Sequence, residues 1–196
     1  MNYSKDFITA FNHAMLYEVG PWFDANDPDT IAGNCSTPQQ CRKVGYTNTP
    51  GDKGGITKFG VAANEDAGID VPNLTLDGAM QVFYNDYWIK CHCVDITLPG
   101  VACWHFDASM NNGPSRAAKF LQQAVGATQD GMIGPATLTL VNQQDPATLI
   151  NALSTIRTQR YNTIVQNDPT QQKFLNGWLR RVSEVTQFSL AQIPSS

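Results

Sequence analysis

Acidic side chains and one threonine in the first third of the chain have the types and spacing that acid–base chemistry needs. Glu18 ends a run with apolar residues at every third or fourth position, whereas Asp27 and Asp52 lie in polar, turn-forming segments. Partial burial disfavours a charged carboxylate, so we expect Glu18 to hold its proton and the aspartates to be ionised. A carboxylic acid paired with an ionised group is the arrangement that hydrolyses glycosidic bonds, and the Thr57 hydroxyl could position the water.

A helix is predicted to position Glu18. Ser4 can accept a hydrogen bond from the first free backbone amides of this helix, and Gly20-Pro21 is a stop signal. Spacings of four, three and four residues place on one face Phe7, Phe11, Ala14 and Glu18. The carboxylate therefore ends an apolar stripe, where a solvent-facing glutamate would not be placed.

The segment 21–60 is predicted to consist of loops and short strands, because Asp-Pro, Gly-Asn, Pro-Gly and Gly-Gly pairs interrupt it. Within it, residues 51–60 form a glycine-rich run that indicates a tight hairpin carrying Asp52 and Thr57. An aspartate in a turn and a threonine in a strand are also common without any catalytic role. Spacing alone therefore leaves both readings open.

Helical periodicity dominates after residue 60. Helix starts are indicated at Pro114, Asp145-Pro146 and Asp168-Pro169, and Gly126 is a stop signal. The pattern predicts about six or seven helices with one small β region near the front, which is an α+β fold that is predominantly α-helical. We expect one catalytic domain over residues 1–196, with a front lobe at 1–70 and a helical lobe at 71–196.

Composition excludes several classes of partner. The 196 residues carry a net charge of -4, so bulk electrostatics does not favour nucleic acid. The best basic patch is Arg180-Arg181 with Lys173, which we interpret as a solvated helix face. No apolar run is long enough to cross a bilayer, so stable membrane insertion is not expected. The first residues also lack the basic start and apolar core of a secretory signal.

The five cysteines cannot all pair within the chain. Cys35 and Cys41 bracket a short polar loop and could form a local disulfide. Cys91-His92-Cys93, followed by Cys103 and His105, has the residue types of a zinc site, but ligands two residues apart point away from each other. We therefore predict no metal and no cofactor, with buried thiols as the first reading and a disulfide from Cys103 to Cys91 or Cys93 as the second.

Further motifs follow in order along the chain. The front ones are Glu18-Val19-Gly20 with Trp22, and the run 52–61 with its Gly-Gly-x-Thr pattern. The later ones are Tyr87-Trp88, Phe106-Asp107 with Asn111 and Gly113, the run 130–137, and the run 174–181. Together they resemble the N-acetylmuramidases of glycoside hydrolase family 108, many of which are bacteriophage endolysins.

The resemblance implies a lysozyme-like fold and hydrolysis of the β-1,4 bond between N-acetylmuramic acid and N-acetylglucosamine in peptidoglycan. It implies Glu18 as the essential acid. The chemistry of the residues themselves adds Asp52 and Thr57 to the predicted catalytic set. The partner would be bacterial peptidoglycan, and the protein would act as a monomer in host-cell lysis. Made in the cytoplasm without a signal peptide, it would reach the cell wall after another protein opens a membrane pore.

Two departures from the family pattern bear on the site. Val19 replaces the first glycine after the glutamate, and a longer segment, roughly residues 26–50, separates the halves of the front motif. Asp27 therefore keeps the family's distance from Glu18, whereas Asp52 keeps its Gly-Gly-x-Thr context. We favour Asp52, because a glycine hairpin fixes local geometry better than chain distance does.

Substrate contacts are predicted at Trp22 and Tyr46, whose rings lie in loops and could stack on sugar faces, and at Asn111 of the middle helices. Two other function classes stay open at this point. One is a non-catalytic peptidoglycan-binding protein, and the other is an amidase or peptidase acting on the same polymer. The products would separate them, since a glycosidase creates reducing ends and a peptidase or amidase creates amino groups.

Overall fold

The computed structural model describes residues 2–49, 55–63 and 68–194. The chain divides into two compact units, Met1–Asp86 and Tyr87–Ser196. The predicted single catalytic domain, with lobes at 1–70 and 71–196, stays a prediction. The fold is α+β and predominantly helical, as predicted.

The first unit contains short and long helices around a small hairpin. Its helices are α1 (Lys5–Glu18), α2 (Pro28–Ala32), α3 (Pro38–Lys43) and α4 (Leu76–Phe83), with a 3-10 turn at Val71–Asn73. The Ser4 hydroxyl accepts a hydrogen bond from the Phe7 amide and caps α1, as predicted. The apolar stripe of α1 is buried at Phe7, Phe11 and Ala14.

Helices α2 and α3 correct the prediction that residues 21–60 hold loops and strands alone. Each begins with a capping side chain followed by proline, namely Asp27 for α2 and Thr37 for α3. Both helices are too short to show an apolar stripe, so periodicity could not reveal them. The available signals were the capping pairs Asp27-Pro28 and Thr37-Pro38, of which Asp27-Pro28 also fits a turn.

The observed hairpin lies at the end of the glycine-rich run 51–60 and extends two residues beyond it. Strands β1 (Thr57–Lys58) and β2 (Val61–Ala62) pair antiparallel, with Thr57 opposite Ala62. The turn residues Phe59 and Gly60 have φ of 53° and 78°, both left-handed. Two such residues match the twist of a two-residue hairpin, and glycine meets that demand at no steric cost.

The second unit is built around one central helix. Its helices are α5 (Pro99–Asn112), α6 (Pro114–Ala124), α7 (Pro135–Asn142), α8 (Pro146–Asn167) and α9 (Gln172–Ala191), with 3-10 turns at Cys93–Asp95 and Pro169–Gln171. A π-helical turn, Tyr84–Ile89, leads from α4 into this unit. Helix α5 packs against α6, α8 and α9, and its residues from 100 to 109 are all buried. Among the described helices, none is long and apolar enough to cross a membrane.

A buried ion cluster joins three helices of this unit. Asp107 on α5 accepts a hydrogen bond from Arg157 Nη1 on α8 at 2.6 Å and from Arg181 Nε on α9 at 2.9 Å. The side chains of Asp107 and Arg157 are 3% and 0% exposed. Burial alone would raise the pKa of Asp107, but the two guanidinium groups outweigh it and hold that pKa below its usual value. The cluster therefore stays charged inside the helical core.

The local disulfide considered for Cys35 and Cys41 is present, and the other three cysteines are buried thiols, as predicted. Cys35 and Cys41 form a disulfide that closes the loop leading into α3. Cys91, Cys93 and Cys103 are free and buried, so the alternative disulfide from Cys103 does not form. Burial and the neighbouring thiols raise the pKa of Cys93 well above its usual value, which keeps this thiol protonated.

Candidate active site

Glu18 is the last residue of α1, and its side chain is half-buried. The chain turns sharply after it, since the amides of both Val19 and Gly20 donate to the Met15 carbonyl. Gly20 has a φ of 95° and takes the chain out of the helix. The carboxylate thus ends the buried stripe, as the sequence predicted, and lies next to the hairpin.

The hairpin turn presses its backbone against Glu18. A Cβ atom added to Gly60 would lie 3.1 Å from the Cβ and Cγ atoms of Glu18 and 3.2 Å from its Oε2. The absence of a side chain at Gly60 therefore lets the backbone pack directly on the carboxyl group. This packing places the turn of the hairpin directly beside the carboxyl group of Glu18.

A second contact holds the residue after Glu18. A Cβ atom added to Gly45 would lie 3.2 Å from both the Glu18 carbonyl oxygen and the Val19 Cα. The segment around Gly45 also binds the hairpin, because the Phe59 amide donates to the Val44 carbonyl at 2.7 Å. The end of α1, the segment after α3 and the hairpin turn therefore form one packed site around the glutamate.

Lys58 binds the hairpin to the 3-10 turn at Val71–Asn73. Although charged, it is 1% exposed, and its Nζ donates to the Pro72 carbonyl at 2.9 Å. Burial lowers the pKa of Lys58, and the charge of Asp70 partly offsets that effect. Sequence reasoning missed Lys58 as a positioning residue, because a lysine inside a polar, glycine-rich run looks exposed.

The contact between Gly60 and Glu18 makes a testable prediction. In Gly60→Ala, the new methyl group would crowd the carboxyl group, and the positive φ would cost roughly 1–2 kcal/mol for an L-residue. We expect a lower melting temperature and a loss of hydrolytic activity, measured by calorimetry and by reducing-end release from peptidoglycan.

The matched control is Gly126→Ala, at a helix end with φ of 69° and no atom within 4 Å of the added Cβ. It should show a similar backbone cost and wild-type activity. Equal activity in the two variants would contradict the assigned contact.

Asp27 has a structural role in α2. Its Oδ1 accepts hydrogen bonds from the amides of Asp29 and Thr30, and its Oδ2 accepts one from Lys43 Nζ at 2.7 Å. The Lys43 hydrogen bond is the main cause that lowers the pKa of Asp27. Both oxygens are therefore engaged in holding α2 to α3.

Thr57 lies in β1 and is half-buried. Its backbone forms a two-bond bridge with Thr47, with both N–H to O distances at 2.9 Å. It therefore belongs to the same hairpin as Gly60. Asp52, the predicted second carboxylate, lies outside the described residues, so its position relative to Glu18 stays a prediction.

The two predicted aromatic contacts have different surroundings. Trp22 is 60% exposed, and the Arg42 guanidinium lies 6.0 Å from its ring centre. Tyr46 lines a groove of about 490 Å³ beside the Cys35–Cys41 disulfide, with Pro72 and Asn73 on the other side. Both rings lie in the unit that contains Glu18 and are accessible to a ligand, but the substrate contact itself stays a prediction.

Asn111 lies in the second unit. Its side-chain oxygen accepts hydrogen bonds from Arg157 Nη2 at 2.8 Å and from the Tyr161 hydroxyl at 2.9 Å. The residue thus extends the buried ion cluster of Asp107. Any contact of Asn111 with substrate would have to use its amide nitrogen.

Among the described residues, no group of three or more histidine, cysteine or acidic side chains is arranged to hold a metal ion. His105 is buried with its Nε2 bonded to the Cys91 carbonyl, and burial lowers its pKa to about 4. The imidazole is therefore neutral and is held in place by the backbone.

Two family models match consecutive parts of the chain. Residues 42–113 match the family described as Glycosyl hydrolase 108, and residues 116–183 match the one described as Predicted Peptidoglycan domain. The first match contains Tyr46, Thr57 and Asn111, whereas Glu18 lies ahead of it. A comparison with curated proteins finds no match.

A solved structure is similar to this chain over nearly its full length. The chain is similar to SagA of Brucella abortus, with a TM-score of 0.68 and 28% sequence identity, over 97% of each chain. The two family matches lie in the order that the sequence motifs predicted. Part of the chain thus matches glycoside hydrolase family 108, and the two family matches together support a glycoside hydrolase that acts on peptidoglycan.

Proposed function

We propose that this hydrolase cleaves the β-1,4 bond between N-acetylmuramic acid and N-acetylglucosamine, with Glu18 as the catalytic acid. The observation that carries the proposal is the packing of the Glu18 side chain between the end of a buried stripe and the backbone of Gly60. Such an environment favours a carboxyl group that keeps its proton until a leaving group takes it.

In this mechanism the Glu18 proton passes to the glycosidic oxygen as the bond from that oxygen to the anomeric carbon breaks. An ionised carboxylate stabilises the positive charge that develops on the sugar ring. Water then supplies a hydroxyl group to the anomeric carbon, and its remaining proton returns to a carboxylate. The hydroxyl of Thr57, on the strand before Gly60, is proposed to hold that water.

We assign the ionised carboxylate to Asp52 rather than to Asp27. Asp27 already uses both oxygens for the α2 amides and for Lys43, so moving it to a substrate would break the cap and the ion pair. Asp52 belongs to the run that leads into β1, which places it in sequence close to Thr57. The engagement of both Asp27 oxygens therefore supports Asp52 as the second carboxylate, which the sequence motif also favoured.

Exchanging each aspartate for asparagine tests the assignment. We expect Asp52→Asn to lower the turnover number by about 10²-fold or more while the melting temperature stays near that of wild type. Asp27→Asn should do the reverse, with a lower melting temperature and little change in turnover, because it loses the charge that pairs with Lys43. Loss of turnover in Asp27→Asn alone would move the second carboxylate to Asp27.

A second candidate function is a wall-binding protein without hydrolytic activity, which the peptidoglycan-domain match favours. Product analysis separates the two, since hydrolysis at muramic acid leaves reducing ends that borohydride converts to muramitol. Release of glucosaminitol would instead identify cleavage of the other glycosidic bond. Wall binding without any new end would support the binding protein. The role in host-cell lysis, the monomeric state and the route to the cell wall stay predictions of the family resemblance.

A further inference from the structure

A pocket in the second unit gathers positive charge. It has a volume of about 390 Å³ and lies between the start of α6 and the side of α8. Two arginines and a lysine line it, Arg116 and Lys119 from α6 and Arg160 from α8. In a protein whose net charge is -4, three cations around one pocket are a local reversal of sign.

None of these three cations belongs to an ion pair found in the described part of the chain. The ion pairs found there involve other cations, namely Lys43, His92, Arg157, Arg180 and Arg181. Lys119 feels the charge of Asp130, which lies outside the pocket lining. Burial, and then the repulsion of Arg116, lower the pKa of Arg160 below its usual value. An anion in the pocket would relieve that repulsion.

The helix start adds to the same field. Gly113 caps α6 without any side-chain hydrogen bond, and Ser115 lines the pocket beside the first turn. Unpaired amides at the start of a helix and the helix dipole both favour negative charge. The pocket therefore offers hydrogen-bond donors together with its three cations, which is the donor set that a carboxylate or phosphate prefers.

This location differs from the basic patch that the sequence indicated. In that patch, Arg181 is bound to buried Asp107, and Arg180 pairs with Glu184 at 3.7 Å. The sequence could not reveal the pocket, because Arg160 stands 44 residues after Arg116 and meets it only through the packing of α6 on α8.

We propose that this pocket binds a free carboxylate on the peptide stem of peptidoglycan. The proposal rests on the proposed function, since it assigns a second contact on the same polymer. The stem peptides carry free carboxylates along each glycan strand, so a cationic pocket would distinguish peptide-bearing strands from bare ones. The three cations of the pocket, Arg116, Lys119 and Arg160, all belong to the segment that matches the peptidoglycan domain.

The probe is a soluble muropeptide with free stem carboxylates, and its matched control is the same muropeptide with those carboxylates amidated. We expect wild type to bind the free acid about tenfold more tightly at low salt, as two or three partly exposed charge pairs would give. The preference should shrink as salt is raised. In Arg116→Gln/Arg160→Gln, the two ligands should bind equally.

Two further variants keep the result interpretable. Lys173→Gln/Arg180→Gln removes two cations away from the pocket and should keep the wild-type preference. Arg116→Lys/Arg160→Lys preserves the charge and should keep most of it, which separates a charge effect from a folding defect. Circular dichroism checks each fold.

Equal binding of both muropeptides by wild type would overturn the proposal. Tighter binding of a poly(glycerol phosphate) chain than of the free-acid muropeptide would overturn it as well, and would make the pocket a phosphate site. Reducing-end release from glycan strands stripped of their peptides tests the glycosidase separately, so the failure of one proposal can be told from the failure of the other.

Discussion

Glu18→Gln should abolish most of the reducing-end release from peptidoglycan while the protein stays folded. Glutamine is nearly the same size but has no proton to give to the leaving oxygen. Loss of a general acid costs about 10²- to 10⁴-fold in rate, so residual activity should lie in that range or below detection. Wall binding, measured by co-sedimentation with purified peptidoglycan, should remain.

Glu184→Gln is the matched control for this variant. It makes the same chemical change at an exposed glutamate whose pairing with Arg180, at 3.7 Å on one helix face, contributes little stability. It should keep wild-type activity. A folded Glu18→Gln with undiminished activity would remove Glu18 from the mechanism, and a fold lost in that variant would make Glu18 a structural residue.

The largest expected loss of stability comes from Asp107. Asp107→Ala would remove the carboxylate that binds both Arg157 and Arg181 inside the core of the second unit. Removing one partner of a buried ion pair costs about 3–5 kcal/mol, because the remaining charge is left uncompensated. Chemical denaturation followed by circular dichroism would measure this loss. A change below about 1 kcal/mol would contradict a buried, charged cluster, since that is the range of exposed pairs.

The same carboxylate makes stability depend on pH. The pKa of Asp107 is lower in the folded protein than its ordinary value of 3.8, so the unfolded chain binds this proton more readily. The contribution of Asp107 is therefore fully present above that ordinary value and is lost as the pH falls through the lower, folded pKa. Wild type should lose stability in this acidic range, and Asp107→Ala should lose less over the same interval.

Local signals predicted the start of several helices from the sequence. Ser4 and Asp145 each accept a hydrogen bond from the first turn of the helix that follows, and Gly126 ends α6 with φ of 69°. These features depend on residues within a few positions of each other, so a single sequence shows them. The position of Glu18 at the end of a buried stripe was predictable for the same reason.

Long-range packing explains most of what the sequence did not show. Arg157 and Arg181 look like ordinary surface cations until α8 and α9 bring them to Asp107 on α5. Lys58 looks exposed until the chain brings the Pro72 carbonyl to its ammonium group. Contacts of this kind join residues far apart in the chain, and no local pattern encodes them.

The junction between α5 and α6, at Asn112 and Gly113, affects the entropy that is lost when the cationic pocket binds a ligand. Asn112 lines that pocket, and its Nδ2 donates to the Tyr161 hydroxyl, which also accepts from Arg157 Nε. This hydrogen bond holds the Asn112 side of the pocket against the helical core in the absence of any ligand. Binding would then need no reordering of Asn112, and the entropic penalty of association would fall on the ligand and on the side chains of Arg116, Lys119 and Arg160. A pocket whose lining is partly fixed in advance would lose less entropy at each repeat of the polymer than one that orders only on binding.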